Sequence, residues 1–118
     1  MKLSILIPIY NWDIQLLVSS LVEEINEARL CNSIEIILID DCSSEKSIRE
    51  SNEFFINRIN AHCIKYYPLE SNVGRSMVRK FLVQKANGLY MLFLDADTLP
   101  DSKTFIMNYL DIINSTPT

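Results

Sequence analysis

Two carboxylate pairs stand where carboxylates are costly. Asp95 and Asp97, separated only by Ala96, follow the uninterrupted run Leu89-Tyr90-Met91-Leu92-Phe93-Leu94. Asp40 and Asp41 close a second run, Ile34 to Ile39. A charge at the end of a buried segment is unfavourable unless it is paired or holds something. Hard oxygen ligands one residue apart suit Mg²⁺ or Mn²⁺, and these ions suit a diphosphate. The expectation is therefore that Asp95 and Asp97 hold a divalent metal under a nucleotide diphosphate.

Other residues could serve the same chemistry. Asn72, Gly74, Arg75 and Arg79 form a turn and an early helical stretch whose arginines could meet phosphate. Pro8-Ile9-Tyr10-Asn11 ends the first apolar run, and Tyr10 and Trp12 could stack on a base or belong to the core. Each feature has a plainer reading. Asp-x-Asp is common as a strand-end carboxylate followed by a helix cap. Asp40-Asp41 could cap the next helix, Arg75 and Arg79 could be a solvated face, and Gly74 a turn residue.

These residues need elements to position them. Leu3 to Ile9 reads as a first strand, ending or bulging at Pro8. Ile14, Leu17, Val18, Leu21, Val22, Ile25 and Ala28 recur at helical spacing, with Glu23, Glu24, Glu27 and Arg29 on the other face and Asn11 or Asp13 as the cap. Ile34 to Ile39 is a second strand. Ser43 or Ser44 caps a weaker helix carrying Ile48, Phe55 and Ile59, and Ala61 to Tyr67 is a third strand nearer an edge. A helix over Ser76 to Ala86 places Val78, Phe81, Leu82 and Lys85 together and stops at Asn87-Gly88 as at a C-terminal glycine. Leu89 to Leu94, with no alternation, predicts a strand buried on both faces. Thr98-Leu99-Pro100-Asp101 starts a last helix with Phe105, Ile106, Tyr109, Leu110 and Ile113, proline fitting an early helical position. The tail Asn114 to Thr118 is polar and expected to fray. Strict alternation of strand and helix predicts an α/β fold, a mostly parallel sheet with helices on both faces. The ends of the first, second and fourth strands then share one edge, where ligands of open α/β sheets bind.

Composition narrows the classes. The chain of 118 residues is one domain long, and 48% of it is hydrophobic, enough for a core. A net charge of −4 argues against a nucleic-acid surface. Two glycines leave no Gly-x-Gly-x-x-Gly dinucleotide fingerprint, and the Gly-Lys-Ser/Thr of a P-loop is missing. A signalling receiver domain would need its acidic pair after the first strand, where Tyr10-Asn11 stands. No stretch is long and apolar enough to span a membrane, and the apolar N-terminus, interrupted by Pro8, reads as a strand rather than a signal peptide. Cys31, Cys42 and Cys63, odd in number and without Cys-x-x-Cys, argue against disulfide or zinc sites and for a reduced compartment. His62 reads as a structural or surface residue. The location expected is the cytoplasm, with the inner face of the membrane as one place within it.

Taken together, the motifs resemble a known family. Ser4-Ile5-Leu6-Ile7-Pro8-Ile9-Tyr10-Asn11, Glu35 through Asp40-Asp41-Cys42-Ser43-Ser44, Asn72-Val73-Gly74 with Val78-Arg79, and Asn87-Gly88-Leu89-Tyr90 through Asp95-Ala96-Asp97 occur in the order found in the amino-terminal half of family-two glycosyltransferases of the GT-A fold. The resemblance implies that backbone at Pro8, Ile9 and Tyr10 lines the base pocket. It implies that Asp41, with Asp40 beside it, hydrogen-bonds the base, and that the Asn72–Arg79 segment, including Gly74 and Arg75, closes over the nucleotide. Asp95 would face the ribose or a metal-bound water, and Asp97 would ligate Mn²⁺ or Mg²⁺. The donor implied is a nucleotide-diphosphate sugar, UDP-linked before other bases, and the acceptor a glycan or lipid-linked hydroxyl in cell-surface polysaccharide synthesis. The sequence departs from the family pattern at Cys42 (usually Gly), Lys80 (commonly Asn) and Leu82 (often small).

In this family the general base follows the Asp-x-Asp half. Asp101 and Asp111 read as a cap and a solvated face. The expectation is a single donor domain over 1–118, a fragment without the acceptor half, binding nucleotide weakly and transferring nothing alone. The competing reading is a non-catalytic nucleotide- or partner-binding module of the same fold. Apolar surface left uncovered by a missing half would favour homo-oligomers.

Overall fold

The computed structural model describes residues 1–115. The elements are β1 (Leu3–Ile9), α1 (Gln15–Glu27), β2 (Ile34–Asp40), α2 (Lys46–Ile59), β3 (Ile64–Pro68), α3 (Arg75–Lys85), β4 (Tyr90–Phe93) and α4 (Phe105–Ser115). The strands form one sheet in the order β3-β2-β1-β4, with every pairing parallel. The alternating α/β architecture expected from the sequence is the one observed.

Side-chain alternation on the strands builds two cores. Leu3, Ile5, Ile7 and Ile9 of β1 join Ile34, Ile36 and Leu38 of β2 on one face. Helix α1 covers that face because Ile14, Leu17, Val18, Leu21, Val22 and Ile25 fall on one stripe. Half-buried residues of α2 and Ile106 and Leu110 of α4 complete it. Leu6, Ile37 and Ile39 point the other way and meet Val78 and Leu82 of α3. Each fully buried aliphatic side chain contributes about 1.5–3 kcal/mol, so β1 and β2, buried on both sides, anchor the sheet.

Several expectations are corrected. The strand before Asp95 is not buried on both faces. It is an edge strand of which Met91 is 47% exposed, because nothing pairs with its outer side among the described residues. Helix α4 begins at Phe105, not at Pro100. Its start is set by Glu24, whose carboxylate accepts hydrogen bonds from the Ile106 and Met107 N–H groups at 2.7 and 2.8 Å. Glu24 is thus buried against α4 rather than on the solvated face of α1. Neither Asn11 nor Asp13 is the N-cap of α1, which is Ile14; Asp13, one residue earlier, accepts from the Gln15 N–H at 2.9 Å, and Asn11 turns to the segment before α2. Neither Ser43 nor Ser44 caps α2, whose N-cap residue is Glu45. Gly88 does not close α3 by a left-handed turn. A Cβ there would lie 2.6 Å from the Ser4 nitrogen, so its value is close approach to β1. His62 lies before β3 and is exposed. Asn114 and Ser115 belong to the end of α4, and the rest of the predicted tail, 116–118, lies outside the described residues.

Glu35 is the polar exception inside β2. It is 1% exposed. Its carboxylate accepts from the Ser4 hydroxyl, from Lys65 Nζ at 2.7 Å, and from the Asn87 backbone N–H at 2.7 Å and Nδ2 at 3.2 Å. Ser4 Oγ in turn accepts from the Gly88 N–H at 2.8 Å. This knot joins β1, β2, β3 and the turn into β4, and so fixes the strand that carries Asp95. Burial alone would raise the Glu35 pKa, but donors from Lys65, Ser4 and Asn87 pull it down to about 2.

Candidate functional site

The parallel register brings the strand ends together. Ile9 pairs with Asp40, and Asp40 with Pro68. Strand β4 stops earlier, with Phe93 opposite Leu6, and Leu94 donates to the Leu6 carbonyl at 3.0 Å. The chain then turns, the Thr98 N–H donating to the Asp95 carbonyl at 3.0 Å. That turn holds Asp95 and Asp97 exposed at the end of the sheet.

They line a cleft of about 550 Å³. Pro8, Ile9, Tyr10 and Trp12 line it from the end of β1, and Asp41 from the end of β2. Asn72, Gly74, Arg75 and Val78 line it from the start of α3, and Asp95, Ala96 and Asp97 from the turn after β4. Tyr10 and Trp12 are half exposed, so they are cleft aromatics rather than core. Trp12, left open from sequence between base stacking and core, lies in the lining, and Val78 and Ala96 complete it beyond the residues assigned from sequence.

Asp40 and Asp41 part company. Alternation along β2 sends their side chains to opposite faces. Asp40 is fully buried and lies outside the lining. Its carboxylate accepts from the Ser43 hydroxyl and from the Ser43 N–H at 2.8 Å, while Ser43 Oγ accepts from the Asn11 N–H at 2.9 Å. Asp40 therefore ties the β2 end to the β1 end. Asp41 lies in the lining and grips the loop before α3. It accepts from the Val73 N–H at 2.8 Å, the Gly74 N–H at 3.0 Å and Asn72 Nδ2 at 3.1 Å. Gly74 has φ 93° and ψ 159°, a region that only glycine occupies readily. This conformation aims its N–H at Asp41 and directs the positive N-terminal end of α3 toward the cleft. Cys42, where the family pattern has Gly, takes the left-handed φ of 54° itself, so the turn survives the departure.

Arg75, the first residue of α3, brings Nη2 to 3.7 Å from Asp95 Oδ1. Both side chains are largely exposed, 75% and 68%. Such a pair is worth at most about 1 kcal/mol, which leaves Arg75 free to turn to an anion. Arg79 does not reach the cleft. Its guanidinium lies 4.1 Å over the Phe93 ring and covers the sheet edge.

Among the described residues, no three His, Cys, Asp or Glu side chains converge as a ready-made metal cage. Mg²⁺ and Mn²⁺ do not require one. They are bound through one or two carboxylates, with substrate phosphates and water completing the shell. Asp95 and Asp97, exposed and oxygen-bearing beside an arginine, fit that chemistry.

The family model for glycosyl transferase family 2 matches residues 4–115. The chain belongs to this family. Among curated family relatives, the minor teichoic acid biosynthesis protein GgaB of Bacillus subtilis is 32% identical over 114 residues, covering 92% of this chain and 12% of GgaB. The uncharacterized glycosyltransferase YibD of Escherichia coli is 31% identical over 98 residues, covering 81% of this chain and 26% of YibD. The chain thus spans well under half the length of these curated relatives. Among solved structures, S. aureus TarS 1-349 in complex with UDP-GlcNAc superposes with a TM-score of 0.75 at 25% identity, covering 97% of this chain and 31% of that one. The mannosyltransferase PcManGT of Pyrobaculum calidifontis, in complex with GDP-Man and Mn²⁺, shares the fold with a TM-score of 0.75 at 14% identity, covering 99% of this chain and 33% of that one. The GT-A assignment made from the motifs is thereby supported along nearly the whole chain. No helix among the described residues is long and apolar enough to cross a membrane.

Proposed function

We propose that this chain is the donor-binding part of a glycosyltransferase that takes a nucleotide-diphosphate sugar and transfers the sugar, with inversion, to an acceptor hydroxyl. One observation carries the reading: a single cleft gathers aromatics from the loop after β1, the α3 N-terminus with Arg75, and the paired carboxylates Asp95 and Asp97. Tyr10 and Trp12 offer faces for the base, and Asp41 keeps free acceptor capacity for a base N–H beside the loop it holds. Arg75 and the α3 N-terminus meet the diphosphate. Asp97, with Asp95, holds Mn²⁺ or Mg²⁺. That ion supplies charge neutralisation on the departing diphosphate. TarS, which holds UDP-GlcNAc, and GalNAc-T7, described with UDP, GalNAc and Mn²⁺ (TM-score 0.63, 28% identity), support a UDP-linked donor. GgaB supports a cell-surface polymer as the product.

Asp101 lies outside the cleft and Asp111 is an exposed residue of α4, so neither is placed to deprotonate an acceptor there. The general base is assigned to sequence beyond these residues. Calorimetric titration tests the reading. UDP should bind in the presence of Mn²⁺ and lose most of its affinity when EDTA is added or when Asp97→Ala replaces the parent. Equal UDP affinity in all three conditions would overturn the metal assignment. No heat from any nucleotide diphosphate would favour the non-catalytic module.

A further inference from the structure

Helix α2 has one buried residue, and it is an amide. Asn52 is 0% exposed, while Phe55, Ile56 and Ile59 are only half buried and Phe54 is 67% exposed. A hydrocarbon would be the cheaper occupant of that spot unless the amide is needed, since a buried polar group costs free energy until it is satisfied. Asn52 is fully used. Its Nδ2 donates to the Trp12 carbonyl at 2.8 Å, and its Oδ1 accepts from the Ile14 N–H at 3.2 Å. Both partners belong to the loop between β1 and α1, some forty residues earlier in the chain.

That loop is clamped at its other end too. Asn11, at the left-handed φ of 51°, donates its N–H to Ser43 Oγ at 2.9 Å and accepts from the Glu45 N–H at 3.0 Å. Trp12 stands between the two clamps. The residue is half exposed and lines both the cleft and an adjoining cavity of about 440 Å³, which also shares Ala96 and Asp97. A large aromatic on an irregular loop would otherwise sample many orientations, and each would redraw the wall between the two cavities.

We infer that Asn52 is a positioning residue for the candidate site: it grips the backbone on both sides of Asp13 and sets Trp12 as the wall of the nucleotide cleft beside Asp97. The nucleotide itself enters only through the reading proposed above.

Trp12 is the only tryptophan in the chain, so its fluorescence reports on this loop alone. Asn52→Asp keeps the acceptor for Ile14 and replaces the donor to Trp12 with a repelling oxygen. Asn52→Leu removes both bonds. Both variants should lower Trp12 anisotropy and weaken UDP–Mn²⁺ binding, read from Trp12 quenching, about fivefold or more. The control is Ile56→Ala, on the same helix and against the same core. It should lower the unfolding temperature while leaving Trp12 anisotropy and UDP affinity at parent values. Parent-like signals in the Asn52 variants, or the same changes in Ile56→Ala, would overturn the inference. Should both Asn52 variants fail to fold, amide exchange in the parent decides. The Ile14 N–H should exchange only with global unfolding, and exchange at an open-loop rate would overturn the clamp. A parent indifferent to UDP whose Trp12 anisotropy still falls in the Asn52 variants would retain the clamp and reject the nucleotide reading.

Discussion

Replacing Glu35 by Gln should unmask how strongly one buried carboxylate holds the sheet together. In the parent that group gathers donors from Ser4, Lys65 and Asn87, and its pKa falls from 4.5 to about 2. At about 1.36 kcal/mol for each tenfold in acidity, the preference for the ionised form corresponds to roughly 3 kcal/mol. Glu35 itself is buried, so little of this is screened by solvent, although Lys65 is 38% exposed. Because folding lowers the pKa, the stabilisation is complete above about pH 4.5 and is lost as pH falls toward about 2. Glu35→Gln keeps the shape and removes the charge, and it turns an amide NH₂ toward donors from Lys65 and Asn87. Urea unfolding at pH 7 should show a loss of about 2–3 kcal/mol. The gap between parent and variant should then narrow steadily from pH 4.5 to 3, since only the parent still has this proton to take up. Parallel stability profiles for the two proteins across that range would refute the argument, whatever the offset at pH 7.

Three further substitutions probe the framework around the cleft. Gly88→Ala should cost about 1–3 kcal/mol in urea unfolding, because the new methyl meets the β1 backbone at Ser4 and Leu3; Gly74→Ala meets open space and should cost the backbone strain of φ 93° and ψ 159° alone, about 1–3 kcal/mol. Glu24→Ala should remove the remote cap of α4, costing about 1–2 kcal/mol and speeding amide exchange at Ile106 and Met107 ahead of the rest of that helix.

The succession of strands and helices was legible because each element has its own hydrophobic period, and the site edge followed from parallel topology. What escaped depended on partners distant in sequence. The run Leu89–Leu94 has the composition of a central strand, yet its neighbours in the sheet decide exposure, and β4 pairs only with β1. Proline at position 100 suggested a helix start, but the donors of α4 are satisfied by Glu24 on α1. Glu35 and Asn52 bond to groups some thirty to fifty residues away and carry no local signature. Asp40 and Asp41 could have been told apart in advance, since adjacent residues on a strand face opposite ways. The place of Arg79 near the strand-end carboxylates suggests a phosphate contact, and the packing of its guanidinium on Phe93 takes it elsewhere.

The anomalous signal of manganese offers the most direct test of where the cation and the donor meet. In a crystal soaked with UDP and MnCl₂, the account predicts one manganese peak within coordination distance of an Asp97 carboxylate oxygen, touching the diphosphate, with the base against Tyr10. A manganese peak elsewhere, or UDP bound away from the turn that carries Asp95 and Asp97, would contradict it.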